Sequence, residues 1–469
     1  MGSLRSRYQP RTTCQNQPGP VRSTGILRGT RLTMTKLVFC ADDFTGASDT
    51  LATLARAGLS ARLYLNAPDM SDHKNDDGHG SSGSDPDSLD AFGVATSLRA
   101  MGVEDGVATI GELAGQLAKA DCGLYHFKIC STFDSAPETG NIAAIADRYA
   151  QSVGASWKAI IGGQPSLRRY CFLGNLFAAM GSGQIHRIDR HPVMANHPVT
   201  PMREADLPRH LANQGWAKVG LIDFTIIAQG RVALIAEIRR RIADGETETL
   251  FDVTTENDLL TIGEALRDIA RSEVILCIGA SSVAQALFPS FAPTPPSTRA
   301  LRRDGPVFAF AGSRSPLTAE QVALATRYEK IEISPSDLGD RDARNRARTD
   351  CLSILEAGKN LLVAVSDDRN HQISSHDLAR ASAQFIADIS RSVSLGFLLI
   401  AGGDTSSLAV QALGIESLSF VADFDAGAPI IRAHADQKNL DQLPMLLKGG
   451  QMGKPGLFDN VAGLATARA

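Results

Sequence analysis

Two adjacent carboxylates, Asp42 and Asp43, end an apolar run, Leu37-Val-Phe-Cys-Ala41, that is too short for a helix and reads as a buried strand. Thr45, Gly46 and Ser48 suit a tight turn. Leu51, Leu54 and Ala55 then recur at helical spacing, and Gly58 is a fitting stop. This strand–turn–helix would bring both acids to the carboxyl end of a sheet, where open α/β folds bind ligands. Two acids that close need a cation or a hydroxyl-rich partner. One of the pair could instead cap the helix and the other be solvated, but both reduced to such roles is the weaker expectation.

A second set of polar groups points to the same rim. Leu124-Tyr-His-Phe-Lys-Ile-Cys130 alternates as a strand does and runs into Ser131-Thr-Phe-Asp-Ser135. Lys128, Ser131, Thr132 and Asp134 are therefore expected beside Asp42 and Asp43. A cation, hydroxyls and a carboxylate are what a polyhydroxy acid calls for. Ser131 or Asp134 could equally be helix caps, and Lys128 could extend its stem over apolar surface to reach water.

Phosphate chemistry is suggested by three glycine turns, Gly312-Ser-Arg-Ser315, Gly402-Gly-Asp-Thr405 and Lys448-Gly-Gly-Gln-Met-Gly453. The first two follow apolar runs and precede helical patterns. Glycine there lets backbone N–H groups approach an anion. No Walker A loop is present: Gly449-Gly-Gln-Met-Gly-Lys454 is one residue short, and Pro455 stands where Ser or Thr is required. No GxGxxG follows a strand.

The elements that must hold these groups alternate. Strands are expected at Ala91 to Leu98, Trp157 to Ile161, Lys218 to Ile222, Thr249 to Val253 and Val274 to Ile278. Helices are expected at Ile110 to Ala118, Val232 to Ala243 and Glu256 to Ala270. Past a Pro-rich segment at 291–304 the pattern restarts, with strands at Val307 to Ala311, Leu361 to Val365 and Phe397 to Ala401. The fold expected is α/β in two domains, each a largely parallel sheet flanked by helices, with the active site in the cleft between them. The domains would be 35–290 and 305–469. An acidic, low-complexity loop (69–90) interrupts the first. An Arg-rich, acid-free extension (1–34) precedes it, disordered and unrelated to the chemistry.

Bulk properties narrow the classes. The 469 residues are 43% hydrophobic and 21% charged, with a net charge of −4, which offers no general attraction to nucleic acid or anionic membranes. No apolar run approaches the roughly 20 residues of a membrane helix. Seven scattered cysteines form no CxxC pair and suit buried thiols in a reducing cytoplasm.

Asp42-Asp-Phe-Thr-Gly-Ala-Ser-Asp49 resembles the N-terminal signature of the four-carbon acid sugar kinases. These are two-domain, ATP-dependent enzymes acting on tetronates such as 3-oxo-tetronate, threonate and erythronate. Lys128-Ile-Cys-Ser-Thr-Phe-Asp-Ser135 is similar to their second substrate motif, in the form of the 3-oxo-tetronate branch. Arg169 with Gly174-Asn-Leu-Phe177, and His197-Pro-Val-Thr-Pro-Met202, resemble two further elements; His197 could as well pack in a rigid turn. The stretch before Arg169 departs from the branch's Pro-Ala-Leu-Pro-Val-Asn-Gly. The three glycine turns look like the family's Gly-Ser-Cys-Ser, Gly-Gly-Glu/Asp-Thr and Lys-Ser-Gly-Asn-Phe-Gly. The departures are Arg314, Gly449, Gln451 and Met452. The likeness runs from about Lys36 to Phe458.

By that resemblance Ser313, Gly402, Gly403, Asp404, Thr405 and Gly450 would contact ATP, and Asp404 is the carboxylate for Mg²⁺. The sugar acid would meet Asp42, Asp43, Lys128, Ser131, Thr132, Asp134, Arg169 and His197. Asp43, then Asp42, would orient or deprotonate the terminal (4-) hydroxyl. A homodimer is compatible with this reading but not legible in it. An NAD(P)-dependent sugar-acid dehydrogenase fits the α/β rhythm but lacks GxGxxG. A non-catalytic regulator would need no such intact pairing of acids with phosphate turns.

Overall fold

Five-residue apolar runs such as Leu37–Ala41, Trp157–Ile161 and Phe397–Ala401 are buried along their whole length, as strands covered on both faces must be. The computed structural model describes residues 35–68, 89–120, 122–180, 183–197, 199–290, 301, 303–368, 373–425, 428–450 and 452–466. The N-terminal extension, 69–88 of the acidic loop, and 291–300 and 302 of the Pro-rich segment lie outside the described residues.

In chain order the strands are β1 (Leu37–Ala41), β2 (Ala61–Tyr64), β3 (Ala91–Ala95), β4 (Leu124–Lys128), β5 (Trp157–Ile161), β6 (Arg169–Phe172), β7 (Asn175–Ala179), β8 (Ile185–Arg187) and β9 (Gly220–Ile222). They continue as β10 (Glu248–Phe251), β11 (Ile275–Gly279), β12 (Val307–Ala311), β13 (Glu329–Ile333), β14 (Leu361–Val365), β15 (Phe397–Ala401), β16 (Ser417–Asp425), β17 (Ala428–His434) and β18 (Pro444–Lys448). Neighbours run β2-β3-β1-β4-β11-β5-β10-β9 in the N-terminal half, all parallel. In the C-terminal half β13-β14-β12-β15-β18 are parallel, and β17 and β16 add antiparallel.

The first four strands of each half are wound alike: β2-β3-β1-β4 matches β13-β14-β12-β15. In both, the first strand lies where the chain reverses its direction of travel across the sheet. Ligands bind outside the carboxyl ends of strands at such switch points. Asp42 and Asp43 follow β1, and Gly312-Ser313 follows β12, so both sets of candidate residues stand at them.

The two parallel regions are not separate sheets. They join edge to edge through β16 and β2, antiparallel, with Ser417 opposite Tyr64 and Leu418 opposite Leu63. This seam removes the free edge that β2 would otherwise present. Arg56 reinforces it from the helix Phe44–Arg56, through Asp423 at 2.6 Å and over the ring of Phe420. A further departure is the three-stranded antiparallel sheet β6-β7-β8, formed by a segment that reads from sequence as loop. Its β6–β7 turn needs positive φ at both Leu173 and Gly174, and Asp252 holds it by accepting both of their N–H groups. Among the described residues no helix is long and apolar enough to cross a membrane.

Leu418 is wholly buried at the seam. Leu418→Ala is expected to cost about 2–5 kcal/mol in denaturant unfolding, against about 1 kcal/mol or less for Arg56→Ala, whose ion pair is partly in water. A loss for Leu418→Ala no larger than for Arg56→Ala would mean the seam carries little stability.

Candidate active site

Parallel pairing sets Lys128 directly opposite Ala41, and the Asp42 N–H donates to the Lys128 carbonyl at 2.9 Å. Strand register alone therefore brings the cation of β4 to the acids of β1. A third charged residue completes the cluster. After β3 the chain enters a short 3-10 turn, Leu98–Ala100, whose Arg99 faces both acids. Arg99 grips Asp42 with two hydrogen bonds, Nε to Oδ2 at 3.0 Å and Nη2 to Oδ1 at 2.8 Å. Its Nη1 lies 3.1 Å from Asp43 Oδ2. Lys128 Nζ lies 3.4 Å from Asp43 Oδ1.

The two acids differ in role. Asp42 is buried behind Arg99; burial pushes its carboxyl up, the neighbouring Asp43 charge adds to this, and the cations only partly oppose it. Asp43 caps the following helix by accepting the Gly46 N–H at 2.9 Å and lines the open space in front of the cluster. Burial would raise its carboxyl too, but Lys128, Arg99 and the Gly46 N–H outweigh it and hold Asp43 below the usual range. Asp43 is thus the ionised, accessible acid. Gly46 is required for a reason the sequence does not show: a Cβ there would lie 1.5 Å from Lys128 Nζ.

Two adjoining cavities meet Asp43. One of about 170 Å³ is lined by Asp43, Arg99, Lys128, Ser131, Gln164 and Met452, with Ala280 and Ser281 from the turn after β11. The other, about 490 Å³, is lined by Asp43, Thr45, Arg99, His197, Gly403 and Ser407, among others. Both take residues from the N- and C-terminal halves. Thr132 and Asp134 are buried beneath the rim, joined by a 2.5 Å hydrogen bond. Phe133 between them holds a positive φ of 55°, and its carbonyl and Ser135 are met by His210 from a distant helix. Arg169 lines neither cavity; its Nη1 donates to the carbonyl of Leu167, which lines the smaller one. Its Nε is buried without a hydrogen-bond partner, and no carboxylate lies within ion-pair distance of it among the described residues. His197 accepts from the Thr200 N–H at 3.1 Å.

In the C-terminal half, the N–H groups of Gly312 and Ser313 both donate to the Ala401 carbonyl, and the Gly402 N–H donates to Lys448. These amides are already satisfied. Donors for an anion are the Ser313 hydroxyl and the first N–H groups of the helix Gly403–Leu413, which a helix leaves without intrahelical partners. Gly402 has φ of 137°, and Gly450 packs so close to Ser313 that a Cβ would fall 2.2 Å from its hydroxyl. The Asp404 side chain lies outside what the structure describes. Lys448 is buried, bonded to Thr318 Oγ1 at 3.0 Å and the Gly449 carbonyl at 3.2 Å, with no carboxylate in ion-pair distance among the described residues. Burial pushes its ammonium down to about 8. A glycine cradle with a cation lacking a counter-ion fits a polyphosphate.

Sequence reasoning missed Arg99 and His210. Arg99 carried a usable signal, a lone cation just past a strand end; His210 carried none, since 75 residues separate it from Ser135.

Comparison with known proteins places these halves. Residues 37–287 match a sugar-binding N-terminal domain and residues 308–458 a nucleotide-binding C-terminal domain. A 3-oxo-isoapionate kinase of Paraburkholderia graminis is 31% identical over 91% of this chain and 93% of its own length. A 3-oxo-tetronate kinase of Burkholderia multivorans is 30% identical over 89% of this chain and 95% of its own. One from Cupriavidus necator is 30% identical over 89% and 94%. A solved Salmonella typhimurium structure has the same fold, with a TM-score of 0.75 at 23% identity, covering 92% of this chain and 99% of that one.

The Lys448 ammonium titrates inside the accessible pH range. Its pKa falls from about 10.4 in an unfolded chain to about 8. The unfolded chain therefore binds more protons between those values, and the fold gains stability as pH rises through that window. An anion held by the charged ammonium would bind best below about 8 and more weakly above it. ADP affinity measured by calorimetry should fall above pH 8 in the native protein and be lower but flat in Lys448→Met. The same pH slope in both would remove Lys448 from the anion site.

Proposed function

The chain belongs to the four-carbon acid sugar kinase family, and from that premise we propose that it transfers the γ-phosphoryl group of ATP to the terminal hydroxyl of a 3-oxo-tetronate-type acid sugar. The observation that carries the reading is Asp43, an ionised carboxylate held between Arg99 and Lys128, facing space that both halves line.

Phosphoryl transfer needs positioning and charge neutralisation more than covalent help. Asp43 accepts the hydrogen bond of the terminal hydroxyl and aims its oxygen at the γ-phosphorus. As the new O–P bond forms and the bond to ADP breaks, the hydroxyl proton passes to Asp43. Its lowered pKa makes it a modest base, so orientation is its larger contribution. Arg99 keeps Asp42 and Asp43 together, and Lys128 offsets negative charge beside the hydroxyl. The Arg169 guanidinium, its Nε unpartnered, receives the substrate carboxylate in bidentate fashion. The Ser313 hydroxyl, the N–H groups at the start of Gly403–Leu413 and Lys448 hold the phosphates. Asp404 would hold Mg²⁺, which when bound neutralises phosphate charge. Closure of the two halves excludes water and limits ATP hydrolysis. A reducing cytoplasm suits the six described cysteines, all free thiols.

The test is ADP release with Mg-ATP across 3-oxo-tetronates, 3-oxo-isoapionate, threonates and erythronates. One or two 3-oxo acids should turn over, and EDTA should abolish it. Silence across the panel, with ADP still bound, would overturn the reading.

Two variants examine the cluster. Asp43→Asn should lower kcat by about 10²-fold or more with the ATP KM little changed. Gly46→Ala forces the flexible end of Lys128 aside and presses on Asp43 Oδ1, 2.5 Å from the added Cβ. Its melting temperature should hold within a few degrees while kcat/KM for the acid drops about 10-fold or more. Unchanged kinetics in both would place the reacting hydroxyl elsewhere.

A further inference from the structure

The smaller cavity, mostly apolar in exposed surface but bordered by Asp43, Asp49, Arg99, Lys128, Ser131 and Gln164, takes one lining residue from the C-terminal half, Met452. That residue sits in the last glycine turn, two positions from Gly450. The turn is fixed from within its own half: the Gly450 carbonyl accepts from Ser315 Oγ at 2.5 Å and Thr318 Oγ1 at 2.9 Å. Gln321 Nε2 donates to the carbonyls of Met452 at 3.2 Å and Lys454 at 3.0 Å. The backbone of Met452 is thereby anchored, while its half-buried side chain borders a cavity built otherwise by the sugar-binding half. A cavity of about 150 Å³ holds a molecule the size of benzene, so 170 Å³ is on the scale of a four- or five-carbon acid. The thioether adds to that apolar surface a face suited to the carbon skeleton rather than to its hydroxyls. Three flexible torsions let it yield to a branch.

We propose that Met452 is a specificity-determining residue: it closes the acid-sugar pocket from the nucleotide half and sets how bulky an acid the pocket accepts. The inference rests on the kinase reading above. It places the size limit for one substrate on the turn that serves the other.

The experiment measures kcat/KM for a linear four-carbon 3-oxo acid and a branched five-carbon one in the native enzyme, Met452→Ala, Met452→Phe and Met452→Leu. Met452→Ala should shift the ratio toward the branched acid, and Met452→Phe toward the linear one, each by about 10-fold. Met452→Leu should stay near native. The ATP KM and the melting temperature, which a merely structural residue would move, should stay within about 2-fold and a few degrees. A ratio unchanged in the Ala and Phe variants, with turnover intact, overturns the assignment and leaves the kinase reading standing. Should Met452→Phe not fold, Met452→Ala decides alone. A native enzyme silent on every acid overturns the kinase reading and this inference with it.

Discussion

Four charges, two of each sign, are held together at three strand ends, and the arrangement of the N-terminal half follows from satisfying them. Asp42 and Lys128 are almost entirely buried, and a lone buried charge of either kind would be prohibitive. At separations near 4 Å an opposite pair gains about 4 kcal/mol at an effective dielectric of 20. Arg99 makes the cluster tolerable by meeting both acids with one planar guanidinium. The four charges come from the ends of β1 and β4 and the turn after β3, so all three strand ends must be in register for any one of them to be stable.

The same cluster divides labour between two chemically identical side chains. Asp42 sits deeper and is driven toward its neutral form; Asp43 sits at the helix N-terminus, nearer the cavities, and is driven toward its charged form. Neighbouring carboxylates pushed in opposite directions are a common basis for assigning different tasks to each. One serves as a structural partner for the guanidinium, which leaves the other to line the cavities.

The repeated winding of the two halves brings unlike chemistry to equivalent places. In one half the switch point carries acids, in the other a glycine turn and a helix N-terminus. The antiparallel seam at Leu63 and Leu418 keeps both switch points within a single continuous sheet. Residues such as Met452 can then complete a pocket whose other walls all lie in the N-terminal half.

Much of this was legible in the sequence. Short apolar runs ending in polar or glycine residues marked β1, β5, β12, β14 and β15, because a strand buried on both faces admits nothing else along its length. The motifs at Asp42, Lys128, Gly312 and Gly402 were legible for the same local reason, each being a strand end or its turn; the one at Lys448 was legible from its glycines, while the strand before it was not. Long-range partnership was not legible. That Arg99 binds both acids, that Gly46 must be glycine to let Lys128 pass, and that His210 supports Phe133 all depend on side chains meeting from separate elements. The joining of two sheets into one, the β6–β8 sheet, and the spent amides of Ser313 and Gly402 were likewise decided only by tertiary structure. Local pattern reports which backbone form a segment can take. Which groups then share a buried space, and hence which charges are paired and which are left for a ligand, is settled only when the elements pack.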